Sequence, residues 1–264
     1  FTMAGQLISD PKERAERAAE KEQFVLEWLA DFVYSTTDVL GVVLELKPSA
    51  TLSALRRLER KGYIVRDEIL VYGRIVLPIW GITMTGLMAY LTPQQIETQK
   101  LRYHQKGRVA LSSLQHEMDV QRVAIFCERS KKYDSEEWTT NRDLPWPSKK
   151  SDPRWPVYPD GLMHLPINGD KNNLAEIAVE VERTRKTPKR YVQILKGHAA
   201  NIAQGRYHGV IYFCVDQQAV ESLKALFKRI FKEENITFTS PKIRAMIGAN
   251  FHHYSVDRSA SHLA

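Results

Sequence analysis

The chain has 264 residues, room for two small domains, since domains usually run about 100–150 residues. Hydrophobic residues make up 43% and charged ones 26%, which excludes a disordered chain and fits an ordinary globular protein. With 38 Lys and Arg against 31 Asp and Glu, the net charge of +7 favours polyanionic partners such as nucleic acid or an anionic membrane surface.

Two cysteines, Cys127 and Cys214, stand too far apart for a disulfide framework or a zinc site. Both lie in apolar surroundings, so buried free thiols in a reducing cytoplasm are expected. The first residues are charged and lack the apolar core of a secretory signal. No apolar run approaches the roughly 18–20 residues of a bilayer span. A cytoplasmic protein with no membrane span is therefore expected.

Residues 1–21 read as a charged N-terminal segment, and a first domain is expected over 22–92. From Glu22, the apolar residues Phe24, Val25, Trp28, Leu29 and Phe32 recur at helical spacing. Ser35-Thr36-Thr37-Asp38 supplies N-cap candidates for a second, short helix, which Lys47-Pro48-Ser49 ends. A third helix carries Leu52, Leu55 and Leu58 inward and stops at Gly62, a residue suited to the position just past a helix end. Two short strands around Tyr72-Gly73-Arg74 follow, then a helix from Thr85 to Leu91.

Helix, helix-turn-helix, then hairpin is the order of a winged helix domain, and SATLSALRRLERKGYIVRDE resembles its recognition helix and wing. A recognition helix needs an apolar side for docking and a polar side for the major groove. Ser49, Thr51, Ser53, Arg56, Arg57 and Arg60 form the polar side, a mixture of hydroxyls and arginines suited to base edges. Lys61 at the helix end and Arg74 at the hairpin tip are placed for phosphates, which position a protein without reading sequence. The alternative is a winged helix used only for protein contacts.

Residues 93–110 read as a polar, helical connector, and a second domain is expected over 111–250, with a tail at 251–264. Its opening helix, LSSLQHEMDVQRVAIFCERSKKY, buries Leu114, Met118, Val123 and Phe126, while His116, Glu117 and Asp119 are more simply solvated than catalytic. The stretch WTTNRDLPWPSKKSDPRWP reads as an irregular loop whose basic residues are suited to track DNA. Asn168 to Asn173 is a strong turn signal between candidate strands at Asp160–Ile167 and Leu174–Arg183. Alternation along the second strand sends Ile177, Val179 and Val181 one way and Glu176, Glu180 and Glu182 the other.

Folding this hairpin about its turn brings Asp160 opposite Glu180–Glu182, and opposed residues on one face have Cβ atoms about 4.5–5.5 Å apart. Like charges that close are costly unless a cation or protons neutralise them. Oxygen ligands of this kind suit Mg²⁺ or Mn²⁺. The plainer alternative is the solvated face of an edge strand, with Lys186 and Lys189 as ordinary counter-charges. Thr187-Pro188 then starts a helix with Tyr191, Ile194, Leu195, His198 and Ile202 inward. The strand Gly209–Cys214 follows, so strand, helix and strand predict a parallel pair by a right-handed crossover. A helix over Ala219–Phe231 and a short strand near Ile236–Phe238 extend the α/β pattern.

Pro159-Asp160, then Glu180-x-Glu182, then a lysine resembles the PD-(D/E)xK nuclease superfamily. The wider order LSSLQHEMDVQRVAI, WTTNRDLP, YPDGLM and VEVERTRKTPKRYVQIL resembles the replication-relaxation family, which includes MobC-type plasmid mobilisation proteins, over roughly Phe24 to Asp216. The resemblance implies an α/β (α+β overall) chain: a winged helix-turn-helix domain followed by a nuclease-like α/β domain. It implies Asp160 and Glu180 as ligands of Mg²⁺ or Mn²⁺, with Glu182 as a second acid where many such nucleases carry lysine. Lys186 would stabilise charge on the phosphate or orient the nucleophile. The function implied is a relaxase that binds double-stranded DNA at a plasmid transfer origin and nicks one strand, alongside other relaxosome proteins and a coupling protein. Water is one nucleophile, and a tyrosine such as Tyr191 or Tyr207 is the other. The competing expectations are a non-catalytic relaxosome accessory or transcriptional regulator with a degenerate nuclease fold, and a restriction-type hydrolase acting as a dimer.

Overall fold

The computed structural model describes residues 10–71, 75–129, 137–146, 154–167, 169–236 and 252–255. Its architecture is α+β, with eight α-helices and two sheets among those residues. The chain divides into two units, Phe1–Met118 and Asp119–Ala264.

In the first unit, helix α1 (Pro11–Phe32) begins a full three turns before Glu22, because Asp10 caps it by accepting from the Lys12 amide and Pro11 stands in its first turn. Part of the charged segment is thus the exposed start of this helix. Val25, Leu26, Trp28, Leu29 and Phe32 face the core, whereas Phe24 is exposed, contrary to the expected stripe. Strand β1 (Tyr34–Thr36), helix α2 (Thr37–Leu44) and helix α3 (Pro48–Arg60) follow. Helix α3 ends where predicted: Gly62 takes φ +73°, a left-handed conformation that costs a residue without Cβ little. Strands β2 (Ile64–Val71) and β3 (Ile75–Ile82) form an antiparallel hairpin, and β1 adds to the far side of β3, giving the order β1-β3-β2. Helix α4 (Met84–Tyr90) is capped by the Thr83 hydroxyl, and helix α5 (Pro93–Thr98) by a capping box between Thr92 and Gln95.

The expected helical connector is helical only over α5. The stretch beyond it is clipped to the β-sheet of the same unit. The His104 amide donates to the Ile82 carbonyl, while His104 Nε2 lies 3.0 Å and the Gly107 amide 2.9 Å from Asp67 Oδ2. Gly81 permits this, since a Cβ there would meet the His104 side chain at 2.2 Å. Backbone hydrogen bonds to a sheet, rather than helical periodicity, thus order residues 101–108.

The second unit takes its first layer from helix α6 (Leu111–Arg129), which starts where predicted and crosses the division between the units. Strand β4 (Glu137–Thr140) replaces the start of the expected loop; it pairs with β5 (Gly161–Ile167), which pairs with β6 (Asp170–Glu182). Helix α7 (Pro188–Ala203) carries the chain to β7 (Gly209–Cys214), parallel to β6 as the crossover rule requires. Helix α8 (Gln217–Glu233) leads on to β8 (His252–Ser255), parallel to β7. The sheet order is β4-β5-β6-β7-β8, so a strand lies within the expected tail at 251–264. The expected strand at Ile236–Phe238 lies largely outside the described residues, and Ile236 itself is not in a strand.

Both faces of this sheet are covered. Leu162, Ala178, Val210, Tyr212 and Cys214 pack with Tyr191, Leu195, Val220, Leu223 and Phe227 of α7 and α8. The opposite face presents Met163, Ile177, Val179, Val181, Ile211 and Phe213, all buried. Phe126 of α6 meets Phe213 edge-on, with ring centroids 6.2 Å apart, and stays partly exposed rather than buried as expected. Burying these side chains stabilises the unit by roughly 1.5–3 kcal/mol each. Glu180 and Glu182 share the face covered by α7 and α8, not a solvated one. Among the described residues, no helix is long and apolar enough to cross a membrane.

Candidate nucleic-acid interface and acidic site

Helix α3 divides its residues sharply. Thr51, Ala54, Leu55 and Leu58 are buried, and Ser49, Ser53, Arg56 and Arg60 are exposed. The exposed four follow the spacing i, i+4, i+7, i+11, so they form one stripe along the helix. Thr51 does not belong to it. Its side chain is fully buried and its hydroxyl donates to the Lys47 carbonyl at 3.1 Å, securing the first turn of the helix. Leu52, expected inward, is only half-buried, because the inward stripe runs through Thr51.

Arg57 and Lys61 are already engaged. Arg57 Nε donates to Glu22 Oε1 at 2.8 Å and Lys61 Nζ to Glu22 Oε2 at 2.5 Å. Burial pushes the Glu22 carboxyl up, but the hydrogen bonds and charges of Lys61 and Arg57 outweigh it and hold the group below the ordinary carboxylate range. Arg57 and Lys61 thus pin α3 to α1 while keeping positive charge beside the exposed stripe. Arg74 lies outside the described residues.

In the second unit the hairpin register is Gly161 opposite Val179, which sets Asp160 beside Glu180. Two hydrogen bonds confirm that placement. The Asp160 amide donates to the Val179 carbonyl at 2.9 Å, and Asp160 Oδ2 accepts from the Val181 amide at 2.7 Å. The acid therefore closes the end of the β5–β6 ladder with its own side chain. The expected turn is shorter than Asn168 to Asn173, since β6 already begins at Asp170, and the register shifts at an irregularity between Pro166 and Ile167.

Glu180 points under α7, and its side chain is 13% exposed. Oε1 is buried and lies 3.3 Å from His198 Nε2, and neither atom has a well-formed hydrogen bond among the described residues. Burial first, and then the charge of Asp160, push the Glu180 carboxyl above the ordinary range, against the pull of His198 and Lys186. His198 Nδ1 lies 2.6 Å from the Tyr207 hydroxyl, which accepts from Asn201 Nδ2 at 2.8 Å. If the phenol proton points at His198 Nδ1, the proton of a neutral imidazole sits on Nε2, facing Glu180. Sequence reading placed His198 on the apolar side of its helix and missed this link. A histidine among core residues, with a tyrosine nine positions on, was the available signal.

Glu182 does not join the other two acids. It is buried and pairs with Lys186, whose Nζ lies 2.6 Å from Glu182 Oε2. A small pocket beside this pair is lined by Glu182, Arg185, Tyr191, Cys214 and Ser222. Tyr191 and Tyr207, the two candidate tyrosine nucleophiles, are both buried, and burial pushes both well above the ordinary range. Neither presents an oxygen to solvent. Cys127 and Cys214 are buried free thiols, and burial pushes Cys214 up to about 12. Asp119 is paired with Arg122 and Arg183 rather than solvated.

A hard cation accepts one or two carboxylates and completes its shell with water and phosphate oxygens. Asp160 and Glu180, neighbours across a strand pair with one oxygen lacking a good partner, are the donors that fit this demand. The three-carboxylate convergence does not form: among the described residues, no group of three His, Cys, Asp or Glu side chains is placed to hold a metal ion. Glu182, two residues further along β6, is instead paired with Lys186. No protein-family model matches this chain, and no curated protein matches it.

Proposed function

We propose that this protein binds double-stranded DNA with the exposed stripe of α3 and the β2–β3 hairpin, and cleaves one strand at Asp160 and Glu180 with Mg²⁺ or Mn²⁺. The order helix, strand, helix, helix, hairpin supports the winged helix reading, and Ser49, Ser53, Arg56 and Arg60 are its groove-facing residues. The observation that carries the cleavage reading is the Asp160–Glu180 juxtaposition: one acid just before β5 and one on β6 beside it, the latter raised by burial and by the former's charge. Such a pair is stabilised by a cation.

Asp160 is held in place by the Val181 amide, and Glu180 faces His198 Nε2 at 3.3 Å. Lys186 lies at the same strand end, where its charge stabilises negative oxygen. A bound Mg²⁺ or Mn²⁺ supplies polarisation of the scissile phosphate and a water of lowered pKa. Water is the nucleophile in this reading, because Tyr191 and Tyr207 are enclosed. Nicking at a plasmid transfer origin, as in the replication-relaxation family, is the biological setting that fits.

The test is a nicking assay on supercoiled plasmid carrying a transfer origin, with wild type beside Asp160→Ala and Glu180→Ala. A metal-dependent open-circular product, lost in both variants while they still bind DNA, is the expected result. The Glu182–Lys186 pair favours a second reading, a non-catalytic accessory or regulator, because it closes off the third acid and the lysine together. Binding without nicking in any metal would establish that reading instead.

A further inference from the structure

Between β4 and β5 the chain builds a row of nearly parallel rings. Trp146 stacks on Tyr158 with centroids 3.7 Å apart and planes 8° from parallel, and Tyr158 continues to Trp155 at 5.7 Å and 10°. Arg206 lies over the Trp155 ring, 5.2 Å from its centroid. One face of Trp146 is covered by Tyr158, yet the residue is 49% exposed, so its other face is open. A Trp left this open in a folded domain is unusual, since its ring carries a large apolar area.

The ring is also held rigidly. Trp146 Nε1 donates to the Asn141 carbonyl at 2.9 Å, and the Trp146 amide donates to the Leu144 carbonyl. The Tyr158 hydroxyl donates to the Pro145 carbonyl. The Asn141 side chain in turn donates to the Pro159 carbonyl, the peptide immediately before Asp160. One short network thus ties the stack to the candidate acid. A ring fixed in advance loses little freedom when a flat ligand lies on it.

We propose that the open face of Trp146 stacks an unpaired nucleobase, so that single-stranded DNA is held beside Asp160 and Glu180. Every base has a π-face, and aromatic platforms with nearby cations hold single strands without reading sequence. Bases inside a duplex are stacked on each other and cannot reach a protein ring, so the ligand is an unpaired base. Arg154, exposed and next to Trp155, and Arg206 at the end of the row supply charge for the phosphates. The proposal deepens the cleavage reading by naming the form of its substrate, and it rests on that reading for the meaning of the stack's position.

The test is fluorescence anisotropy of the full chain with a labelled short oligothymidylate, in EDTA so that no cleavage intervenes. Trp146→Ala is expected to weaken single-strand binding about tenfold, Trp146→Phe to keep most of it, and duplex binding to stay unchanged. An abasic oligonucleotide is expected to bind wild type and Trp146→Ala alike. Equal oligothymidylate binding by Trp146→Ala, or an equal loss on the abasic strand, overturns the proposal. Displacement of the oligonucleotide from wild type by a proline-rich peptide, at concentrations that leave Trp146→Ala unaffected, assigns the platform to a peptide and overturns it too. Intact, Trp146-dependent binding without any nicking would sink the cleavage reading alone.

Discussion

His198 Nε2 lies 3.3 Å from Glu180 Oε1, and its other ring nitrogen lies 2.6 Å from the Tyr207 hydroxyl. The histidine is fully buried, so on the proposed cleavage reading it would act only through the acid it faces. His198→Gln should therefore shift the metal requirement of nicking, raising the half-saturating Mn²⁺ concentration about 10–100-fold, the usual effect of losing a ligand's supporting partner. Duplex binding should be unchanged. A fall in activity with an unaltered Mn²⁺ titration would mean that His198 only fills space.

The exposed stripe of α3 predicts a graded response to substitution. Arg56→Ala and Arg60→Ala should each weaken duplex binding and lower the salt slope of log K by about 1 if they meet phosphate. Thr51→Val should leave DNA affinity of the folded protein unchanged and lower stability by about 1 kcal/mol, the worth of one buried hydrogen bond. Salt-dependent binding titrations and denaturant melts separate the two effects. A DNA-binding loss in Thr51→Val at full stability would return Thr51 to the interface.

Glu22 gives a pH signature. Its folded carboxyl lies below its unfolded value of 4.5, so it contributes stability above pH 4.5 that is lost as pH falls through the folded value. Glu22→Gln should lower stability by about 1 kcal/mol at neutral pH, a figure kept modest because both partners are partly exposed. The difference from wild type should shrink steadily below pH 4.5. Because Arg57 and Lys61 lose their counter-charge, the same variant should bind duplex DNA more tightly at low salt. Parallel acid melts, with one binding titration at neutral pH, check both statements.

Gly81→Ala tests the clip between the sheet and the segment around His104. The added Cβ would fall 2.2 Å from the His104 side chain, so the segment or the strand must move. Destabilisation by about 1–3 kcal/mol is expected, as for other overpacked sites. Hydrogen exchange should show the His104 and Gly107 amides losing protection first. Unchanged protection at those amides would mean that the clip tolerates the methyl group.

Much of this protein follows from short-range pattern alone. Hydrophobic spacing located the helices around Trp28, Leu55, Leu195 and Phe227, and Pro188 and Gly62 marked a start and a stop. Alternation put Glu180 and Glu182 on one face, and the turn signal at Asn168–Asn173 brought Asp160 opposite the stretch Glu180–Glu182; the register shift at Pro166/Ile167 then selects Glu180. These are consequences of chain geometry, the 3.6 and 2.0 periodicities and the chemistry of turns, which act over a few residues. What the pattern could not decide was which face would be covered, and by what. Helices α7 and α8 cover the acidic face of β6, and Glu182 is paired with Lys186 rather than joining Asp160 and Glu180. Thr51 rather than Leu52 turns inward because its hydroxyl finds the Lys47 carbonyl. His198 becomes the partner of Glu180, and Trp146 joins Tyr158 and Trp155, only once distant segments meet. Those outcomes depend on desolvation and on contacts between residues far apart in the chain, so tertiary packing alone decides them.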